Sequence, residues 1–300
     1  MTDAPDRLHE PVMTAEVLDF LRPARGGVFL DCTVGLGGHA RALLDAGATR
    51  VIGLDRDRDA LARASDTLRP WGDRVELVHA DYRAFEGVLD ARGLGLVDGA
   101  LADLGVSSLQ FDAAGRGFSF QRDEPLDMRM DQSSGETAAD LIAGASEREL
   151  ADVIFGYGEE RFSRRIARAI VGARMEAPID TTGRLAAIVR RAVPRRGPAR
   201  IDPATRTFQA LRIWVNRELE GLDAFLVAAL RRLRAGARLV VISFHSLEDR
   251  IVKHTLRAVA AQGETAIQIL TKKPIVAGDE EVRRNPRARS AKLRAAERLA

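Results

Sequence analysis

Residues 31–44 read DCTVGLGGHARALL. The apolar run VFLDC (28–32) leads into this stretch and a helical pattern, His39 to Ala46, leads out of it, so the glycines stand in a turn between a strand and a helix. Such a turn aims backbone N–H groups and the positive end of a helix at whatever lies beyond the strand's carboxyl edge. Gly35, Gly37 and Gly38 permit close backbone approach and unusual φ angles. Asp55 ends the next apolar run, RVIGLD (50–55), 20 residues after Gly35. At that separation a carboxylate meets a ribose hydroxyl pair in dinucleotide-binding folds.

The spacing by itself names no nucleotide. Ala40 occupies the last position of G-x-G-x-x-G, an accepted variant, and both a dinucleotide and S-adenosylmethionine offer an adenosine ribose to Asp55. The acids tilt the choice. Asp31 closes the first strand just before the glycines, where a carboxylate repels a pyrophosphate and tolerates a sulfonium and an ammonium group; capping of the turn is its simpler role. Asp103 closes the fourth run, LVDGALADL (96–104), again at the edge where open α/β sheets bind ligands. Tyr82, in HADYRAF (79–85), is placed to flank an adenine with Asp81 accepting from the adenine amino group, or else to pack in the core.

A third run, RVELVHA (74–80), and helical patterns over Arg58 to Leu68 and Ala84 to Ala91 complete a β-α alternation typical of a doubly wound parallel sheet. The next convincing strand, ARLVVISF (237–244), comes more than 130 residues later, whereas a crossover normally needs a dozen or so. An inserted helical domain is expected to fill the gap. Within it Ser146 and Glu149 fit a capping box, Phe162, Ile166 and Ile170 recur every fourth residue, and Arg161, Arg164, Arg165 and Arg168 form a second stripe. The linker PRRGPARIDP (194–203) resists helix formation. The expected organisation is a first core segment over 1–107, the insertion over 108–203 and a second core segment over 204–300, opening with one long amphipathic helix from Ala204 to Leu233. IQIL (267–270) reads as a sixth strand, and RSAKLRAAERLA (289–300) as a last strand or a short helix.

Composition bounds the function. The 300 residues are 46% hydrophobic and 30% charged, ordinary for a folded soluble chain. Cys32 is the only cysteine, which excludes an intrachain disulfide and a cysteine-based zinc cluster; no metal is expected. The first residues show no basic segment followed by an apolar stretch, and no apolar run approaches a bilayer span, so a cytoplasmic protein with no membrane partner is expected. The net charge is only +3, but arginines cluster over 161–174, 190–212 and 283–298, and the last cluster holds seven basic residues against Glu297. Three such clusters point to a polyanionic partner.

Seven strings then become recognisable in register: HEPVM (9–13), DCTVGLGGHA (31–40), DLGVSSLQ (103–110), RGFSF (116–120), PLDMRM (125–130), SFHSLEDRIVK (243–253) and NPRARSAKLRAAER (285–298). Together they resemble the bacterial 16S ribosomal RNA (cytosine-N4)-methyltransferase family, called RsmH or MraW. The resemblance implies a Rossmann-like class I S-adenosylmethionine-dependent methyltransferase sheet with an inserted all-helical domain. It also implies methylation of the exocyclic amino group of a decoding-centre cytosine in 16S ribosomal RNA, within the small ribosomal subunit or a late assembly particle. The family's cofactor positions fall on Gly37, Gly38, His39, Asp55, Tyr82, Asp103 and Gln110. Tyr82 departs from a phenylalanine common there.

Cytosine's exocyclic nitrogen is a poor nucleophile, because its lone pair is delocalised into the ring, so it must be held in line with the methyl group and hydrogen-bonded through its protons. Many amino-group methylases place a D/N/S-P-P-aromatic turn after the fourth strand; here that place reads Asp103-Leu104-Gly105-Val106. Asp103 is the candidate catalytic group, and Phe118, Phe120 and PLDMRM are candidates to hold the base. His245 is a second catalytic candidate, unless Ser246 with Asp249 simply starts a helix there. Asn216 either reaches the site or makes a structural contact. NPRARSAKLR is the first candidate for an RNA clamp and the basic insertion the second. A nicotinamide-dependent oxidoreductase, another nucleic-acid amino-methylase and a noncatalytic RNA-binding protein are the rival readings, and the pattern specifies no oligomeric state.

Overall fold

The computed structural model describes residues 11–107, 110–111, 113–194, 201–263 and 265–300. His9 and Glu10 of HEPVM, Ser108 and Leu109 of DLGVSSLQ, and positions 195–200 of the basic linker lie outside these residues. The chain divides into two compact units, one formed by the residues up to Gly105 with Glu220–Ala300 and the other by Val106–Leu219.

The first unit is built on one sheet. Its parallel strands are β1 (Val28–Asp31), β2 (Arg50–Asp55), β3 (Val75–His79), β4 (Val97–Asp103) and β5 (Leu233–Ser243). They are followed by β6 (Ile267–Ile269), β7 (Ile275–Val276) and β8 (Lys292–Arg298). The order is β3-β2-β1-β4-β5-β8-β6, with β8 antiparallel to β5 and to β6, and β7 paired to β8. The alternatives left open for the C-terminus therefore resolve to a strand, and β8 is an interior one. Leu293, Ala295 and Ala296 in it are fully buried, which explains why a segment carrying Lys292, Arg294 and Arg298 still enters the sheet.

Alternate strand residues serve opposite faces. Leu30, Ile52, Leu54, Ala100 and Val241 join one core, whereas Phe29, Val51, Leu101, Val240 and Ile242 join another. Both faces are covered, so these strands read as unbroken apolar runs rather than alternating ones. Helices α1 (Thr14–Leu21), α2 (Gly38–Asp45) and α3 (Arg58–Leu68) supply the second core, and α4 (Phe85–Asp90) the first. Asp57 caps α3 by accepting from the N–H groups of Asp59 and Ala60.

The second unit contains α5 (Ala138–Gly144), α6 (Glu147–Gly158), α7 (Ser163–Glu176), α8 (Thr182–Ala192) and α9 (Ala204–Asn216). Its core gathers Met128, Ile142, Leu150, Ile166, Ile170 and Leu185. Ser146 caps α6 through the Glu149 N–H, and Thr137 with Asp140 closes a reciprocal box at α5.

The expected long helix from Ala204 to Leu233 is two helices. Helix α9 ends where Arg217 turns left-handed at φ 48°, and α10 (Leu222–Arg231) begins after Gly221 at φ 67°. Its periodicity runs through the break, so only the glycine marks it in the sequence. The consequence is topological: α9 packs with the second unit and α10 with the first, which moves the return from residue 204 to Glu220. At the break Arg212 grips Glu218 through two hydrogen bonds of 2.9 and 2.8 Å. Among the described residues no helix is long and apolar enough to cross a membrane.

Candidate cofactor site

Parallel register brings the carboxyl ends of β1, β2 and β4 to one edge, since Asp31 lies opposite Gly53 on one side and Leu101 on the other. The chain leaves β1 through a turn held by Cys32 N–H on the Leu101 carbonyl and Val34 N–H on the Leu54 carbonyl, each at 2.8 Å. Gly35 and Gly37 have φ of 52° and 85° there. A Cβ at Gly37 would lie 3.0 Å from Leu68 on a left-handed backbone, and one at Gly38 would lie 3.0 Å from the Pro11 ring, so both backbones are closely approached. Helix α2 starts at Gly37 with no side-chain cap, leaving its first-turn N–H groups directed off the strand edge.

Asp55 is fixed from two sides. Its Oδ2 accepts from Gly35 N–H at 2.9 Å and its Oδ1 from Asp57 N–H at 2.8 Å, joining the glycine turn to the start of α3. Burial raises its pKa above the usual carboxylate range, against the lowering effect of these two N–H groups. Each oxygen keeps a second lone pair, as a ribose diol requires.

Asp31, His39 and Asp103 form a buried cluster. Asp31 is fully buried and its Oδ1 accepts from Thr33 N–H at 3.2 Å. Burial pushes its carboxyl up to about 7, with the nearby His39 working the other way. His39 Nε2 stands 3.5 Å from Asp103 Oδ2. Burial disfavours charge on the ring, but Asp103 and Asp31 outweigh it and the His39 pKa is raised. The Asp103 N–H donates to Thr33 Oγ1 at 2.7 Å. Thr33 thereby touches both acids, and the sequence reading missed it; a hydroxyl inside the glycine turn was the available signal.

Among the described residues, Asp31 Oδ2, Asp103 Oδ1 and both ring nitrogens of His39 are buried with no hydrogen-bond partner, Nε2 reaching Asp103 only as the 3.5 Å ion-pair contact. Buried polar atoms are almost always satisfied. Two acids, a histidine and uncapped N–H groups suit a cation-bearing ligand with its own hydrogen-bonding groups, so these residues fit the methyl donor.

Tyr82 follows β3 on the same side of the sheet, where Ala80 N–H bonds the Asp55 carbonyl at 3.0 Å. Its ring packs on Phe225 at 4.6 Å between centroids, with the Arg83 guanidinium 5.8 Å from its centre. Burial raises the pKa of its hydroxyl. Asp81 is not a free acceptor: Oδ1 takes Arg83 N–H and Nε, and Oδ2 takes Arg83 Nη2 at 2.7 Å. Although burial favours the neutral acid, these bonds hold Asp81 below its ordinary range.

Gln110 lies in the second unit, buried, with Oε1 accepting from Ser107 N–H at 2.9 Å. His245, not Ser246, is the N-cap of helix α11 (Ser246–Gln262), because its Nδ1 accepts from Glu248 N–H and the Glu248 carboxylate returns the bond to His245 N–H. The cap uses Nδ1 alone; Nε2 is buried 3.2 Å from Glu248 Oε1. Phe118, Leu126, Met128 and Met130 are buried in the second unit, and Phe120 packs on Phe208 at 4.7 Å, so this string is core rather than base platform. Asn216 holds it: Oδ1 accepts from Met130 N–H at 2.8 Å and Nδ2 donates to the Met128 carbonyl at 2.7 Å. The acids around it position loops, Asp123 by accepting Gly183 N–H and Asp127 by pairing Arg129.

A sheet of order 3-2-1-4-5 with an antiparallel strand inserted before the edge, and acids around a glycine turn at the carboxyl edge, defines a class I methyltransferase that uses S-adenosylmethionine. The model of the MraW methylase family matches residues 6–299, and the chain belongs to that family. It is 53% identical to ribosomal RNA small subunit methyltransferase H of Bradyrhizobium diazoefficiens, over 99% of this chain and 93% of that one. It is 51% identical to the protein of the same name from Geotalea uraniireducens, over 97% and 98%. Among solved structures, an rRNA methylase from Streptococcus thermophilus aligns over 95% of both chains at 12% identity with a TM-score of 0.43.

Proposed function

We propose that the protein methylates the exocyclic N4 amino group of a cytosine in the decoding region of 16S ribosomal RNA, in the cytoplasm, within the small subunit or a late assembly particle. The observation that carries the reading is the buried Asp31–His39–Asp103 cluster, whose polar atoms are unsatisfied among the described residues, beside a helix start with no side-chain cap. S-adenosylmethionine supplies an electrophilic methyl group on a sulfonium. Gly35, Gly37 and Gly38 let the backbone approach it, Asp55 takes the ribose hydroxyls, Tyr82 flanks the adenine, and Asp31 offers its carboxylate to the amino-acid ammonium.

Asp103 accepts a hydrogen bond from the cytosine amino group through Oδ1, which has no partner among the described residues, while His39 stands by Oδ2 and Thr33 takes the backbone N–H. That bond fixes the orientation of the amino group and places an acceptor on the proton that must leave. Methyl transfer from a bound donor would leave the C–S electron pair on sulfur, and the amino proton displaced would pass to Asp103 Oδ1. His245 stands second to Asp103 in the catalytic set, its Nδ1 used by the α11 cap and its Nε2 3.2 Å from Glu248 Oε1.

The exposed stripe Arg161, Arg164, Arg165 and Arg168, at the start of and along α7, supplies phosphate contacts. The C-terminal clamp shrinks to its outer arginines, such as Arg283 and Arg289, because Arg294 is buried on Asp249 at 2.6 Å. The test is transfer of labelled methyl groups to naked 16S RNA, to assembling particles and to mature subunits lacking the modification. Label in the RNA of at least one of these supports the proposal, and label in none overturns it.

A further inference from the structure

The two ends of the described chain meet at the glycine turn. Pro11 lies against Gly38, the first residue of α2, so closely that a Cβ there would come within 3.0 to 3.2 Å of three Pro11 ring carbons. Two residues on, Met13 is fully buried and left-handed at φ 55°, a conformation that costs a side-chain-bearing residue about 1 kcal/mol. Something must hold it there. Its N–H donates to Glu281 Oε1 at 2.6 Å, across 268 residues of sequence. Glu281 sits on the short helix α12 (Asp279–Arg284), and the segment behind it is anchored by Ala288 and Ala291, both fully buried in the same core as Val12 and Met13.

We propose that Glu281 is a positioning residue for the methyl-donor site: by taking the Met13 N–H it keeps the Pro11–Met13 segment seated on Gly38, and so keeps the start of α2 aimed at the donor. The inference rests on the reading of the glycine turn as the donor's seat. It assigns Glu281 no contact with donor or RNA. The Glu281 charge also reaches His39, the residue after Gly38, adding to the influences of Asp103 and Asp31 that raise its pKa.

A charge-assisted bond to a strained backbone is expected to matter more for donor affinity than for fold. Titration calorimetry with S-adenosylmethionine on the full chain should show Glu281→Ala weakening binding by ~tenfold, and Glu281→Gln, whose Oε1 can still accept the N–H, by no more than ~threefold. Steady-state kinetics should show a higher KM for the donor and an unchanged KM for RNA. Pro11→Ala should weaken donor binding in the same direction, and the double variant should lose less than the sum of the two, because both changes release one segment. Unchanged donor affinity in folded Glu281→Ala overturns the inference, as does equal damage from Glu281→Gln. If Glu281→Ala does not fold, Pro11→Ala decides, and unchanged donor affinity there overturns it. Asp55→Ala is the control: if it too leaves donor binding intact, the seat itself is misplaced, whereas weakening by Asp55→Ala alone rejects only the role of Glu281.

Discussion

His39 Nε2 lies 3.5 Å from Asp103 Oδ2, and Thr33 Oγ1 takes the Asp103 N–H at 2.7 Å, so the acid at the tip of β4 is held by the turn that follows β1. With the roles proposed for Asp103 and the glycine turn, substrate chemistry and donor binding would share one stretch of chain. Asp103→Asn keeps the shape but weakens the acceptor, and should lower kcat by about 10²-fold while changing donor affinity far less. Rapid-quench methyl transfer alongside calorimetry separates the two. Equal losses in both would place Asp103 in donor binding alone.

Asp31 should make donor binding pH-dependent. With its carboxyl near 7, the isolated protein gains the negative charge only as pH rises through neutrality, so donor affinity should increase from pH 6 to pH 8 and level off above. The sign for stability is opposite. The folded state holds this proton up to about 7 and the unfolded state loses it near 3.8, so the folded state is progressively destabilised between those values. Asp31→Asn should therefore raise the Tm of the donor-free protein at pH 8 and flatten its affinity profile. Thermal melts and calorimetry at both pH values measure this, and a wild-type profile that is already flat would exclude Asp31 as the titrating group.

Much of this was legible in the sequence because the residues concerned follow one another along the chain. Apolar runs buried on both faces announce parallel strands, and acids at their ends sit at one edge by topology alone. What escaped depends on distant partners. The Thr33 bond to Asp103 and the Asn216 bonds to the PLDMRM segment join residues 70 or more positions apart, and no local pattern encodes them. The aromatic and methionine side chains near the cleft in sequence are core in space, and helix periodicity carried through the Arg217 break. The resemblance in register supplied the acceptor, which composition could narrow only to a polyanion.

Asn216 should prove structural. Asn216→Leu leaves the Met130 N–H and the Met128 carbonyl buried without partners, at a cost of about 1–3 kcal/mol for each group. Hydrogen exchange at the Met130 amide should accelerate while donor affinity stays within about twofold of wild type. Retained protection at Met130 would show that the loop does not depend on the amide.

The α7 stripe should act through charge alone. Replacing Arg161, Arg164, Arg165 and Arg168 by Gln should weaken RNA binding and lower the slope of log affinity against log salt by roughly 0.7 to 0.9 for each phosphate that these arginines neutralise. Filter binding across a salt series reports both quantities. An unchanged slope would remove this stripe from the RNA interface.

The central claim concerns the acceptor atom. RNA methylated by the protein with labelled S-adenosylmethionine, digested to nucleosides and resolved by mass spectrometry against synthetic standards, should carry the label in N4-methylcytidine at one decoding-region position, and Asp103→Asn should cut that label sharply. Label in 5-methylcytidine, in a methylated adenosine or at scattered positions would contradict the account.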